Sequence, residues 1–159
     1  MFTNLVFAVL IASGTATAGD WAPFRAFMGT WSGTRTTSSG KVPVTRSYES
    51  IAANEHLLVT DRVASERAPW GMVSFDNDRG GFVLRRFDSN GNVVDFVLSS
   101  VSDGGDRLVF DAISGNGGAS TERIIHERHG WDDYVERVET GANATALTVV
   151  SETQFHRKR

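Results

Sequence analysis

From Thr30 to the C-terminus, short runs rich in Val, Thr, Phe, Tyr and Trp alternate with clusters of Gly, Asn, Asp and Ser. Runs of that composition between such breaks are the pattern of β-strands joined by tight turns. Strands are predicted near 30–36, 42–50, 56–67, 71–77, 81–88, 93–100, 107–113, 119–128, 131–139 and 146–157. The separators are turn formers, among them Ser38-Ser39-Gly40, Asp88-Ser89-Asn90-Gly91, Asp103-Gly104-Gly105, Gly115-Asn116-Gly117-Gly118 and His129-Gly130. Ahead of them, Asp20 to Met28 has the period of one short helix. Pro23 suits its first turn, and Phe24, Phe27 and Met28 make one apolar stripe. So short a helix gains its stability from packing, and the sheet that follows is the surface available to it.

Strands at hairpin spacing, with no second helix to serve as a crossover, predict an up-and-down meander. A meander of this length has two open edges, and closing the sheet removes both. The expectation is an all-β, ten-stranded antiparallel barrel with a short N-terminal helix. Runs such as Phe82-Val83-Leu84 and Val93-Val94-Asp95-Phe96-Val97-Leu98 are apolar on both faces. They fit a barrel whose lumen and partly covered outer face both bury side chains.

Composition narrows what such a barrel does. The chain has 159 residues, enough for one self-sufficient domain, and no cysteine, which removes thiol nucleophiles and cysteine-based metal sites. The formal net charge is −3 and the 16 Lys and Arg are scattered, which argues against a nucleic-acid partner. Residues 1–18 carry no charged side chain; an apolar run from Leu5 to Ala12 leads to Ala16-Thr17-Ala18, the pattern of a secretory signal peptide cleaved after Ala18. The run is too short for a membrane span. Residues 19–159 are therefore expected as one exported domain, periplasmic or secreted.

The chemistry-bearing motifs are sparse. There is no G-x-S-x-G elbow, Walker loop or dinucleotide fingerprint. In His126-Glu127-Arg128-His129 the two histidines are three apart, which on a strand sends them to opposite faces; no metal site is expected there. The carboxylate pairs Asp76 and Asp78, Asp103 and Asp106, and Asp132-Asp133 sit at turns, where Asp accepts backbone hydrogen bonds.

The run Phe24 to Gly33, F-R-A-F-M-G-T-W-S-G, resembles the start of calycin barrels, and more closely that of the nitrobindin-like branch and a related bacterial family of exported barrels. Ser74 to Val93 is similar to the same family's aromatic-Asp and F-D-S-x-G turns, and the end Phe155-His156-Arg157-Lys158-Arg159 to a terminal strand that sets an Arg against the first-strand Trp. The resemblance implies a ten-stranded barrel whose lumen takes a small hydrophobic or planar ligand, haem in nitrobindins. The position of the haem-ligating His in that family falls at Val150 here, a departure that disfavours haem. With Trp31 inward, as the resemblance implies, the candidate pocket groups are Trp31, Arg46, Tyr48, Asp61, Arg86, Arg123, Tyr134 and Glu136, with His126 as candidate acid or base. Three functions remain open: a binder of a small hydrophobic molecule; a cofactor-free isomerase, cyclase or lyase; and a haem protein.

Overall fold

In a computed structural model of the chain, residues 20–52, 55–63, 70–88, 90–113 and 121–159 are described here. Residues 1–18, expected as a signal peptide, and the 64–67 and 119–120 ends of two expected strands lie outside them. The helix α1 spans Ala22–Arg25. Ten strands follow: β1 (Gly29–Thr37), β2 (Gly40–Ile51), β3 (His56–Val63), β4 (Trp70–Asp76), β5 (Gly81–Phe87), β6 (Val93–Val101), β7 (Arg107–Ala112), β8 (Thr121–Arg128), β9 (Asp133–Gly141) and β10 (Leu147–Arg157). Each pairs antiparallel with its chain neighbours, and β1 closes on β10, so the sheet is a closed barrel without edges.

Two boundaries differ from the sequence expectation for local reasons. The helix is four residues, not nine: after Arg25 the chain makes two turn residues and then enters β1, and the capping residue Trp21 makes no side-chain cap. Strand β9 begins two residues late, at Asp133, because Gly130 (φ 88°) turns the chain and leaves Trp131 in the hairpin, 76% exposed.

Cross-strand register fixes which side chains face the lumen. Trp31 pairs with Arg46 on β2 and Arg157 on β10, Arg46 with Asp61 on β3, and His126 with Glu136 on β9. With a period of two, these partners and every second residue from them share one face. The lumen face carries the core, including Trp31, Tyr48, Leu57, Phe82, Phe96, Leu108, Phe110, Ile124, Tyr134 and Phe155. Phe24 and Phe27 of the α1 segment close one end over it. Burying one such side chain stabilises by roughly 1.5–3 kcal/mol, so this layer dominates the stability of the barrel.

The outer face is not uniformly polar. Val83, Val109 and Ile125 are buried there, Val83 across from Val97 and Val109 across from Ile125. Bridges Arg85–Asp95, Arg123–Asp111 and Arg137–Glu127 border them on the same face. Arginine stems covering apolar side chains while their heads pair with carboxylates explain why these strands read as apolar on both faces.

Close approach at the β1–β10 closure depends on Gly33. A Cβ at that position would stand 2.3 Å from the Gln154 carbonyl oxygen and 2.9 Å from the Phe155 ring. At the closed end, Arg157 donates to the carbonyls of Met28 and Ala26, both at 2.7 Å, and its guanidinium carbon lies 4.2 Å from the centre of a Trp31 ring. Trp31 in turn donates from Nε1 to the Phe27 carbonyl at 2.7 Å. One cation and one indole thereby hold the end of the short helix that could not hold itself.

Candidate functional site

The lumen contains a chain of charged groups that runs from β8 to β1. His126 Nε2 lies 2.9 Å from Glu136 Oε2, with the tautomer unassigned. Glu136 accepts from both Nη atoms of Arg46, the Nη2 bond being 3.1 Å. Arg46 grips Asp61 with two parallel bonds, Nε to Oδ1 at 2.6 Å and Nη2 to Oδ2 at 2.8 Å. Asp61 Oδ2 also accepts from Arg35 at 2.9 Å. Arg46 completes its set with Tyr48 Oη at 3.4 Å, and the Tyr48 and Tyr134 hydroxyls are 3.2 Å apart.

Arg46, Asp61, His126 and Glu136 are all buried, which is tolerable only because the charges balance and each side chain is paired with another of the set. Two arginines face two carboxylates. Burial works against the Glu136 charge, but Arg46 and then His126 outweigh it and hold that carboxyl well below the usual range. Burial likewise opposes the Arg46 charge, and Asp61 and Glu136 reverse it, leaving the guanidinium more basic than usual. Burial pushes the phenols of Tyr48 and Tyr134 up, so both stay protonated at neutral pH.

A cavity adjoins this cluster, lined by His126, Glu136 and Arg46 together with apolar residues that include Phe27, Leu108 and Phe110. The space open to the centres of water molecules is about 30 Å³. That is room for roughly two or three water-sized centres, at 10–15 Å³ each. The His126 ring packs between Phe27 and Phe110, at 5.6 and 5.8 Å between ring centres. With Nε2 committed to Glu136, Nδ1 is the nitrogen left to meet a ligand; among the described residues it has no hydrogen bond.

Of the sequence-derived candidates, Arg46, Tyr48, Asp61, His126, Tyr134 and Glu136 meet in this one cluster. Trp31 is fully buried at the closed end, edge-on to Tyr134, and serves the wall of the barrel. Arg86 lines the cavity from β5 and pairs with Glu122. Arg123 is a correction: it lies on the outer face and bridges to Asp111, because strand parity sends it away from its neighbour Ile124, which lies in the core. His129 is at the turn after β8 and apart from His126, and among the described residues no group of three His, Asp or Glu could hold a metal.

Three residues were missed. Arg35 shares the face of Trp31 by parity and was legible in principle. By the same parity Glu122 shares the face of His126, and Thr153 that of Phe155. Thr153, fully buried and paired in register with both Glu136 and Arg35, has a hydroxyl without a partner among the described residues. At the position implied for haem ligation, Val150 sits at the β10 irregularity and is 44% exposed, outside the lumen. Neither that residue nor a 30 Å³ cavity fits a haem.

The S-type phycobiliprotein lyase CPES from Guillardia theta superposes with a TM-score of 0.57 at 11% identity, over 86% of this chain and 90% of that one. The likeness is one of barrel fold. The protein Rv2717c from M. tuberculosis gives a TM-score of 0.57 at 12% identity, over 91% of this chain and all of the other. Such identities speak for the fold and not for the activity. No family model and no curated protein matches the chain.

Proposed function

We propose that this protein is an exported barrel that binds a compact, mostly apolar, neutral molecule in its lumen, with one polar group of the ligand meeting His126. The observation that carries the proposal is the His126 ring, fixed by Glu136 at 2.9 Å, beside a cavity whose charged lining residues Arg46, Asp61, Glu136 and Arg86 are engaged in ion pairs and whose remaining walls are mostly apolar. A few placed polar groups in an apolar concavity are the usual make-up of a small-molecule site. Arg46 lies beside the same cavity, but its five donor contacts are taken by Asp61, Glu136 and Tyr48, so it offers nothing to an anion. With 30 Å³ of open space, the lumen takes a larger ligand only as side chains such as Phe27 and Arg86 turn aside.

Export rests on the 1–18 pattern, and periplasmic or secreted location follows from it. The Phe24 to Gly33 run supports kinship with the nitrobindin-like branch; haem is not carried over with it.

A second reading, a cofactor-free acid–base enzyme, is favoured by the same His126–Glu136 pair, since a carboxylate-oriented imidazole in an apolar pocket is a general base in outline. It ranks second because both Glu136 oxygens already accept from Arg46, so Glu136 is not a carboxylate dedicated to His126.

Protein isolated from its own host and examined by native mass spectrometry tests the first reading directly. The expected result is a mature chain beginning at Gly19 with a co-purifying small molecule, lost in His126→Ala. An empty chain that also fails to bind ethylbenzene in titration calorimetry refutes lumen binding, and a chain retaining residues 1–18 refutes export.

A further inference from the structure

Arg86 differs from Arg46 in how little of its hydrogen-bonding capacity is used. It rises from β5 opposite Gly71 of β4, where an added Cβ would stand 3.1 Å from the Arg85 carbonyl oxygen and from Leu84 Cδ1 but in ordinary contact, 3.5 Å, with Arg86 Cγ. Its side chain lines both the inner cavity and a second one, of about 130 Å³, at the barrel end away from α1. Val94, Phe96 and Glu122 are among the walls of that second cavity, and the guanidinium carbon lies 5.9 Å from the Phe96 ring centre.

The hydrogen bond of Arg86 to Glu122 is 3.4 Å, where Arg46 meets Asp61 at 2.6 and 2.8 Å. Both side chains of the pair are 31% exposed. A guanidinium carries five donors and a carboxylate about four acceptor positions, so one bond leaves most of both free. Asp88 also borders this cavity, but its oxygens accept from the backbone N–H groups of Asn90 and Asn92 and from the Asn92 amide.

We propose that the second cavity is a subsite for a neutral group with an acceptor and a donor on one edge, a primary amide or a ring amide. Its C=O accepts from Arg86, its N–H donates to Glu122, and the apolar body lies along Phe96 and Val94 toward the inner cavity. Charge separates this class from others. A carboxylate would meet Arg86 with Glu122 and Asp88 close by, two anions against one cation. An ammonium would meet Glu122 with Arg86 beside it. The amide leaves the pair balanced and adds a bond to each member. The inference rests on the reading that the lumen takes an apolar ligand, and it names the head group of that ligand.

Benzamide, acetophenone and benzoate share one ring and differ only in what the head group offers. In titration calorimetry at neutral pH with the whole protein, benzamide is expected to bind about tenfold more tightly than either of the others. Glu122→Leu is expected to erase its advantage over acetophenone. Arg86→Met is expected to weaken both about tenfold. Arg85→Gln, on the outer face, changes none of the three. Each single replacement leaves a partner that is 31% exposed and still reaches water, so folding is retained, and a thermal melt of each variant checks it. Equal binding of acetophenone or benzoate, or an advantage that survives Glu122→Leu, overturns the subsite. If ethylbenzene binds and none of the three does, the head-group subsite falls and lumen binding stands; if none of the four binds and the chain isolated from its host is empty, both fall.

Discussion

Replacing Arg46 by Met removes the centre of the buried network while keeping the length of the stem. Five hydrogen bonds go with it, and Asp61 and Glu136 stay behind in the lumen. Each keeps one partner, Arg35 for Asp61 and His126 for Glu136, both at 2.9 Å. Removing one member of a buried ion pair costs about 3–5 kcal/mol, chiefly because the other charge is stranded. For a domain of this size the melting temperature then falls by roughly 6–20 °C, at about 2–4 °C per kcal/mol.

The pH dependence gives the experiment a sign. In the native protein the Glu136 carboxyl is held below its unfolded value, so its contribution is present above that unfolded value and is lost as pH falls through the folded one. Without Arg46, burial of Glu136 is no longer outweighed by the guanidinium, and its proton affinity rises. Acidification toward pH 4, near the ordinary carboxylate range, then relieves the variant while it weakens the native protein. Urea unfolding of both proteins at pH 7 and pH 4 measures the gap, which is expected to narrow on acidification. A loss under about 1 kcal/mol at pH 7, below what a stranded buried charge costs, would refute the account of the network, as would a gap that widens at low pH.

Gly33→Ala places a methyl 2.3 Å from the Gln154 carbonyl oxygen at the barrel closure and should cost at least about 1–3 kcal/mol in urea unfolding, whereas Gly81→Ala, with nothing within 4 Å, should cost far less; equal effects would mean that the closure yields freely. Arg157→Ala removes two bonds to the end of the α1 segment and the cation over Trp31, so amide hydrogens of residues 26–28 should exchange faster while those of β4 and β5 hold; uniform protection across both regions would show that packing alone keeps the helix seated.

Much of the candidate site was legible because a strand has only two faces. Arg46 and Tyr48 are two apart, as are Tyr134 and Glu136, and each pair enters the lumen together. The same rule exposes an inconsistency in the candidate set: Arg123 and His126 are three apart on β8 and cannot share a face, and the structure places Arg123 outside. What parity cannot supply is distance. Glu136 is 90 residues from Arg46 in the chain, and only closure of β1 on β10 brings the two into contact. Glu122 was overlooked for a related reason, since its pairing with Arg86 reaches across the lumen from β8 to β5 and not along a hairpin.

The alternation of apolar and polar residues, the turn formers and the Gly-Thr-Trp start determined by themselves that this chain makes ten antiparallel strands behind one short helix. Those are local properties: turn dihedrals, strand period and a stripe too short to stand alone. The tertiary structure decided the rest, because register and closure are properties of all strands at once. It decided that the arginines and carboxylates of β1, β2, β3 and β9 neutralise one another instead of waiting for a charged ligand. It decided that His126, held by Glu136, lines a small cavity in which the other charged residues are already paired. And it decided that the arginine with donors to spare beside the lumen's second cavity is Arg86.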